Sequence, residues 1–293
     1  MQALKSFGAV VLCLAGLLLA PGRAQAEPAL WVVKGPHATI YLFGSVHVLK
    51  KDEPWRSAKI DAAIQRSGSL WLEVTDVDDP KAMQPLVMKL GVDQTHPLST
   101  LLTKDQLAKL DAAAKSAGIP SGEAAFEPFR PWLAAISLSM VPITQAGFDP
   151  KSGVELTLKP EFQNAGKSIH GFETSEQQMH MLADMPQQTQ LDYLNSGVEH
   201  FAEAPQKFKQ LVAAWYAGDE KTLDEIFDAE FRSRYPAVYQ ALVVKRNEAF
   251  ARQIADLTQG DGTVFAAVGA AHLVGPDGVP AMLAKLGYKV ERQ

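Results

Sequence analysis

The sequence is short of cysteine, of clustered basic residues and of long apolar runs, and each shortage narrows what the chain does. Its one cysteine among 293 residues is Cys13, so no disulfide framework or thiolate metal cluster is available. The apolar run from Phe7 to Ala20 falls below the roughly 20 residues of a membrane span. Lys5 precedes it and Ala24-Gln25-Ala26 follows, so residues 1–26 read as a secretory signal peptide cleaved after Ala26. Cys13 follows Leu12 rather than a small residue, which speaks against lipid attachment there. The expected location is periplasmic or secreted, with no membrane span after cleavage. Acidic residues outnumber basic ones, 33 to 28, and no Lys/Arg-rich run occurs, so nucleic acid is not the expected partner. Absent too are H-E-x-x-H, a G-x-S-x-G elbow, a Walker loop and a dinucleotide fingerprint.

What is present alternates between strand and helix patterns. Leu30 to Val33 and Thr39 to Phe43 predict two strands around a turn at Lys34-Gly35-Pro36-His37. A helix is expected from Pro54 to Arg66, then a strand over SLWLEV (69–74). That strand–helix–strand order predicts parallel pairing. From about 98 to 258 the pattern is mainly helical, with a capping box at Thr103 and Gln106 and a start at Pro131. Pro160 counts against a continuous helix over 152–166. A short strand is expected over KSIHGFET (167–174), breaks at Ala217-Gly218-Asp219 and Tyr235-Pro236, a strand over TVFAAV, and a last one from Tyr288 to Val290. The expected fold class is α/β, a central mixed sheet built from both chain ends. Residues 27–293 would form a single domain, with a large helical insertion at about 98–258.

Catalytic groups in such sheets collect beyond the carboxyl ends of strands. His47 follows IYLFGSV, Glu73 ends SLWLE and His272 follows TVFAAVGAA. Gly44 and Gly269 stand three residues before the two histidines, where a glycine permits a sharp exit or a close backbone approach. Two imidazoles with one carboxylate form an open set for a catalytic divalent ion. G-x-x-H alone is weak: Gly197-Val198-Glu199-His200 repeats it inside a helical stretch. On spacing alone, scaffold histidines remain an alternative. His37, His96, His170, His180 and His200 read as non-catalytic.

LFGSVHVLKKDEPW, LWLEV, GFDPKSGVE, GKSIHGFETSEQQ, KRNEAFARQI and VFAAVGAAHLVGPDGVPAMLAKLGYKV together resemble the TraB/GumN family from about residue 29 to 290. That family is similar to the Tiki metalloproteases and, more distantly, to the erythromycin esterase and ChaN-like folds. The resemblance implies an α/β core with a helical insertion and an active site of His47, His272 and Glu73. In the Tiki-like case it implies metal-dependent proteolysis; in the esterase-like case, a histidine activating water without a metal.

The expectation is a metal-dependent, peptidase-like hydrolase in which His47, Glu73 and His272 bind Zn, Mn or Co and activate water for a peptide or other carbonyl substrate. The alternatives are a metal-independent esterase and a non-catalytic haem- or metal-binding or export-assisting protein. Arg246 would clamp a substrate carboxylate or steady Glu73, and Asn247 would donate to an oxyanion. Glu173 faces either the same crevice or its own helix N-terminus. Glu155 reads foremost as a solvated helix face.

Overall fold

The computed structural model describes residues 26–76, 78–227 and 229–293. Apart from Ala26, the expected leader lies outside them. Strands β1 (Leu30–Lys34) and β2 (His37–Ser45) form the hairpin at the start of the chain. Then come β3 (Ser69–Leu72), β4 (Ser168–Gly171), β5 (Asp261–Gly269) and β6 (Val290–Arg292). The sheet order is β4-β3-β5-β2-β1-β6. β4, β3, β5 and β2 run parallel, while β1 is antiparallel to both its neighbours. β2 and β5 pair along their whole lengths, from His37↔Asp261 to Ser45↔Gly269.

Apolar side chains leave both faces of the sheet, as buried parallel strands require. Alternation along β2 sends Phe43 to one core with Trp55, Leu70, Trp215 and Phe265. Ile40 and Leu42 go to the other, with Phe250, Ile254, Val264 and Leu283. Helices Ala58–Arg66, Val154–Asn164 and Ala204–Tyr216 cover the first face; Lys245–Leu257 and Val279–Lys285 cover the second. A separate helical core gathers Leu98, Leu110, Phe126, Leu138 and Leu194. Among the described residues no helix is long and apolar enough to cross a membrane.

Several expected boundaries move. The first helix starts at Ala58, not Pro54, because Ser57 is its N-cap and accepts from the Ile60 N–H. The strand after it stops at Leu72, leaving Glu73 beyond the ladder. Pro160 sits on the exposed face of the helix Val154–Asn164, which continues through it. The last strand is Val290–Arg292 because the Gly287 turn (φ 91°) delays extension by two residues. The long helical stretch also breaks after His200, before a new helix at Ala204. The capping box at Thr103 and Gln106 forms as the sequence predicts, and a second unites Thr174 and Gln177.

Candidate active site

The tips of the four parallel strands bring the chemistry together. Reading across the sheet, Glu173 follows β4, Glu73 follows β3, His272 follows β5 and His47 follows β2. β3 and β4 keep their alignment past the sheet, since the Glu173 N–H donates to the Glu73 carbonyl at 2.8 Å. Gly269 marks the point of convergence. A methyl there would stand 3.0 Å from Glu73 Oε1, 3.5 Å from His272 Cδ2 and 3.5 Å from His47 Nε2. Instead the Gly269 N–H donates to Glu73 Oε1 at 2.5 Å. Gly44 serves close packing as well: a methyl there would meet the Ala270 backbone at 3.1 Å. Its carbonyl accepts from Trp215 Nε1 at 2.7 Å.

His47 is held by the segment 149–155. The Val154 N–H donates to the Val46 carbonyl and the Asp149 N–H to that of Leu49. Gly153 passes so close that a Cβ would lie 2.4 Å from the His47 carbonyl oxygen. This docking places Glu155, in the first turn of helix Val154–Asn164, under the imidazole. His47 Nδ1 lies 2.8 Å from Glu155 Oε1, which also accepts from the Ser45 hydroxyl. Burial works against the Glu155 charge, but the imidazole, the hydroxyl and the helix N-terminus outweigh it and hold the carboxyl below its usual range. The reciprocal effect raises His47 to about 9, chiefly through the Glu155 charge. Its side chain is 60 % exposed, so water screens part of that attraction. Nε2 of His47 has no protein hydrogen-bond partner among the described residues.

His272 is the opposite case. Asn247, fully buried, donates its amide N–H to the Asp277 carbonyl at 2.7 Å. Its Oδ1 therefore accepts from His272 Nδ1–H, at 2.6 Å, which assigns the tautomer. Nε2 then carries the lone pair and accepts from Arg246 Nη1 at 2.9 Å. Burial, with this cation against it, drops His272 to about 3 and keeps it neutral. Its 3.7 Å approach to Glu73 is consequently not an ion pair.

Arg246 occupies the middle. Nη2 lies 2.5 Å from Glu73 Oε2 and 2.9 Å from Glu173 Oε2, and Nε bonds both Glu173 oxygens. Of its five N–H donors, one remains on Nη1. Burial favours a neutral Glu73, but Arg246, the imidazoles and the Gly269 N–H together hold its carboxyl well below the ordinary range. Glu173, for which burial outweighs Arg246, moves up. Arg246 begins its helix just after a π-helical turn, Gln240–Val244. Such turns rotate the following residues and recur at functional sites.

His47, Glu73, His272, Arg246, Glu173 and Glu155 thus share one cluster. Asn247 stands behind it, orienting His272 rather than facing the opening, because its amide is spent on Asp277 and it has no exposed surface. Glu155 is buried against His47, not a solvated face. The sequence did not point to Ser45 as a carboxylate donor or to Gln178, whose amide reaches Glu73 Oε2 at 3.3 Å; one polar residue in a strand or helix carries no signal of so distant a partner. The other described histidines lie elsewhere: His170 stacks on Trp71, and His180 pairs with Asp184. As placed, the cluster does not suit a divalent ion. The donor atoms of Glu73 and His272 already face a guanidinium, and among the described residues no three His, Cys, Asp or Glu side chains form a metal-holding group.

A cavity of about 790 Å³ opens beside Glu173. Phe172, Met181, Met185 and Ala241 give it apolar walls, and Lys245 lines it without an ion-pair partner among the described residues. His47, Glu73 and His272 are not among its walls, so it touches the cluster only through Glu173.

A model of the TraB/PrgY/gumN family matches residues 29–292. The chain belongs to this family. Among the similar proteins of this TraB/PrgY/gumN member is the uncharacterized protein YbaP of Escherichia coli (strain K12), 22% identical over 264 residues, covering 89% of this chain and 94% of the relative. YbaP of Shigella flexneri aligns with the same identity and coverage. An uncharacterized protein of Treponema pallidum (strain Nichols) is 21% identical over 271 residues, 86% of this chain and 79% of the relative. No solved structure matches the chain.

Proposed function

We propose that this member of the TraB/PrgY/gumN family is an exported hydrolase of peptide-like carbonyl substrates, with His47 as its proton-transfer group. One observation carries the reading: the His47 side chain is exposed, its Nε2 has no protein partner among the described residues, and a buried carboxylate backs its Nδ1. That is how a general base is oriented. The other imidazole has both nitrogens engaged.

In its neutral form His47 Nε2 takes a proton from water as the water oxygen attacks the substrate carbonyl carbon. Negative charge moves to the carbonyl oxygen, towards the remaining Nη1–H of Arg246. The intermediate collapses, the bond to the leaving nitrogen or oxygen breaks, and His47 returns its proton there. The apolar cavity beyond Glu173 takes the body of the substrate.

The test is hydrolysis of a peptide and ester library by wild type and by His47→Ala, with His200→Ala as control. General-base loss lowers turnover by about 10²- to 10⁴-fold, and activity persists in a chelator. Activity abolished by chelation and restored by Zn, Mn or Co would transfer the reaction to the metal-dependent mechanism. Unchanged turnover in His47→Ala would sink the hydrolase reading and favour a binding or export role, for which haem absorbance is the direct check.

A further inference from the structure

The cavity beside Glu173 is walled by two pieces of the chain. Residues 172–189 contribute Met181 and Met185, and residues 237–253 contribute Ala241, in the π-helical turn, and Ala249, in the helix that carries Arg246. Its volume, about 790 Å³, falls among those of ligand sites, roughly 300–1,000 Å³. Methionine side chains adapt to varied apolar shapes, and the alanines leave open the space that longer side chains would fill.

The charged residues of the wall are not equivalent. Glu173 is spent on Arg246, accepting from its Nε and Nη2. Asp184 Oδ2 lies 3.0 Å from His180 Nδ1. The ammonium of Lys245, an exposed residue, has no ion pair or hydrogen bond among the described residues. An apolar cleft with one unpaired ammonium complements a ligand that is apolar along its body and anionic at one point. Thr189 and Gln240 add a hydroxyl and an amide that make no hydrogen bond among the described residues. Such groups suit a ligand whose backbone offers N–H and C=O rather than a bare acyl chain.

We infer that this cleft binds the carboxy-terminal end of an apolar peptide, with the terminal carboxylate on Lys245 Nζ and the apolar side chains against Met181, Met185 and Ala249. The inference rests on the hydrolase reading only in calling that peptide the substrate, and it names the class: apolar peptides with a free carboxyl terminus.

The probes are N-acetyl-Leu-Leu-Phe as free acid and as amide, with N-acetyl-Ser-Ser-Ser acid as the polar reference and decanoate as the lipid one. Binding is followed by calorimetry on His47→Ala, so that no turnover intervenes, and on the same chain with Lys245→Gln or Ala249→Leu added. The apolar acid is expected to bind about 10-fold more tightly than its amide, as for a charge-assisted hydrogen bond partly screened by water. Salt should shrink that difference, and Lys245→Gln should remove it. Ala249→Leu should weaken acid and amide alike.

Equal binding of acid and amide overturns the inference, as does a preference for the acid that survives in Lys245→Gln. A serine peptide that binds as tightly as the apolar one overturns the role of the walls, and decanoate binding more tightly than the peptide acid overturns the peptide class. No binding at millimolar peptide overturns it outright. Lys245 is exposed, so its variant keeps the test open if Ala249→Leu does not fold. Peptide binding with these preferences but no hydrolysis by wild type refutes only the catalytic reading. Hydrolysis by wild type with no preference for the free acid refutes only this one.

Discussion

Glu155 decides what His47 does. Its carboxylate is the main reason His47 titrates near 9, with Glu73 adding to the effect and Arg246 opposing it. Glu155→Gln therefore moves the His47 titration down from about 9 towards 6.5, read by NMR of the imidazole protons without any substrate. If the hydrolase reading holds, catalysis needs the neutral ring, so the wild-type rate rises with pH up to about 9 and that of Glu155→Gln levels off earlier. Arg246→Ala has a separate structural cost, because it leaves Glu73 and Glu173 buried without their cation. Urea unfolding should show a loss of about 3–5 kcal/mol, smaller in a Glu73→Gln background where one stranded charge is gone. At this scale the sequence was readable in part. His47, Glu73 and His272 stand out because each directly follows an apolar strand. Glu155 does not, since an acid in a first helical turn is ordinary and its partner lies 108 positions away.

The segment 149–155 is the element on which the site depends. It pairs with Leu49 and Val46 and carries Glu155 to His47. Gly153→Ala puts a methyl where only 2.4 Å separates it from the His47 carbonyl. The backbone must part, at a cost of about 1–3 kcal/mol. The sharper readout is His47, whose titration falls towards 6.5 as Glu155 withdraws; an unmoved titration would show that the docking does not set the imidazole. The helix start at Thr103 was legible because a capping box is local, closing within four residues. The start at Ala58 and the continuity through Pro160 were not, because they depend on which helix face meets the sheet. The π-helical turn before Arg246 left no mark in the sequence.

For the whole molecule, the buried charges predict a stability maximum with a decline on either side. His272 is depressed to about 3, so its contribution is complete above its unfolded value of 6.5 and is lost as pH falls through 3. Glu73 and Glu155, also depressed, add to this acid limb from 4.5 downward. His47 is raised, so its contribution is complete below 6.5 and disappears as pH rises through about 9. Chemical unfolding at a series of pH values should show both limbs, and His47→Gln should flatten the alkaline one.

By itself the sequence determined the local facts: strands from apolar runs, helix starts from caps, and three reactive side chains at strand exits. Period and capping are short-range physics, complete within a few residues. The tertiary structure alone decided that β5 lies between β2 and β3, so that exits far apart in the chain meet in one cluster. It also decided that a guanidinium from a helix stands among the carboxylates there. Strand order and ion-pair partners are set by competition among all the surfaces the chain can bury together, which no window of neighbouring residues contains.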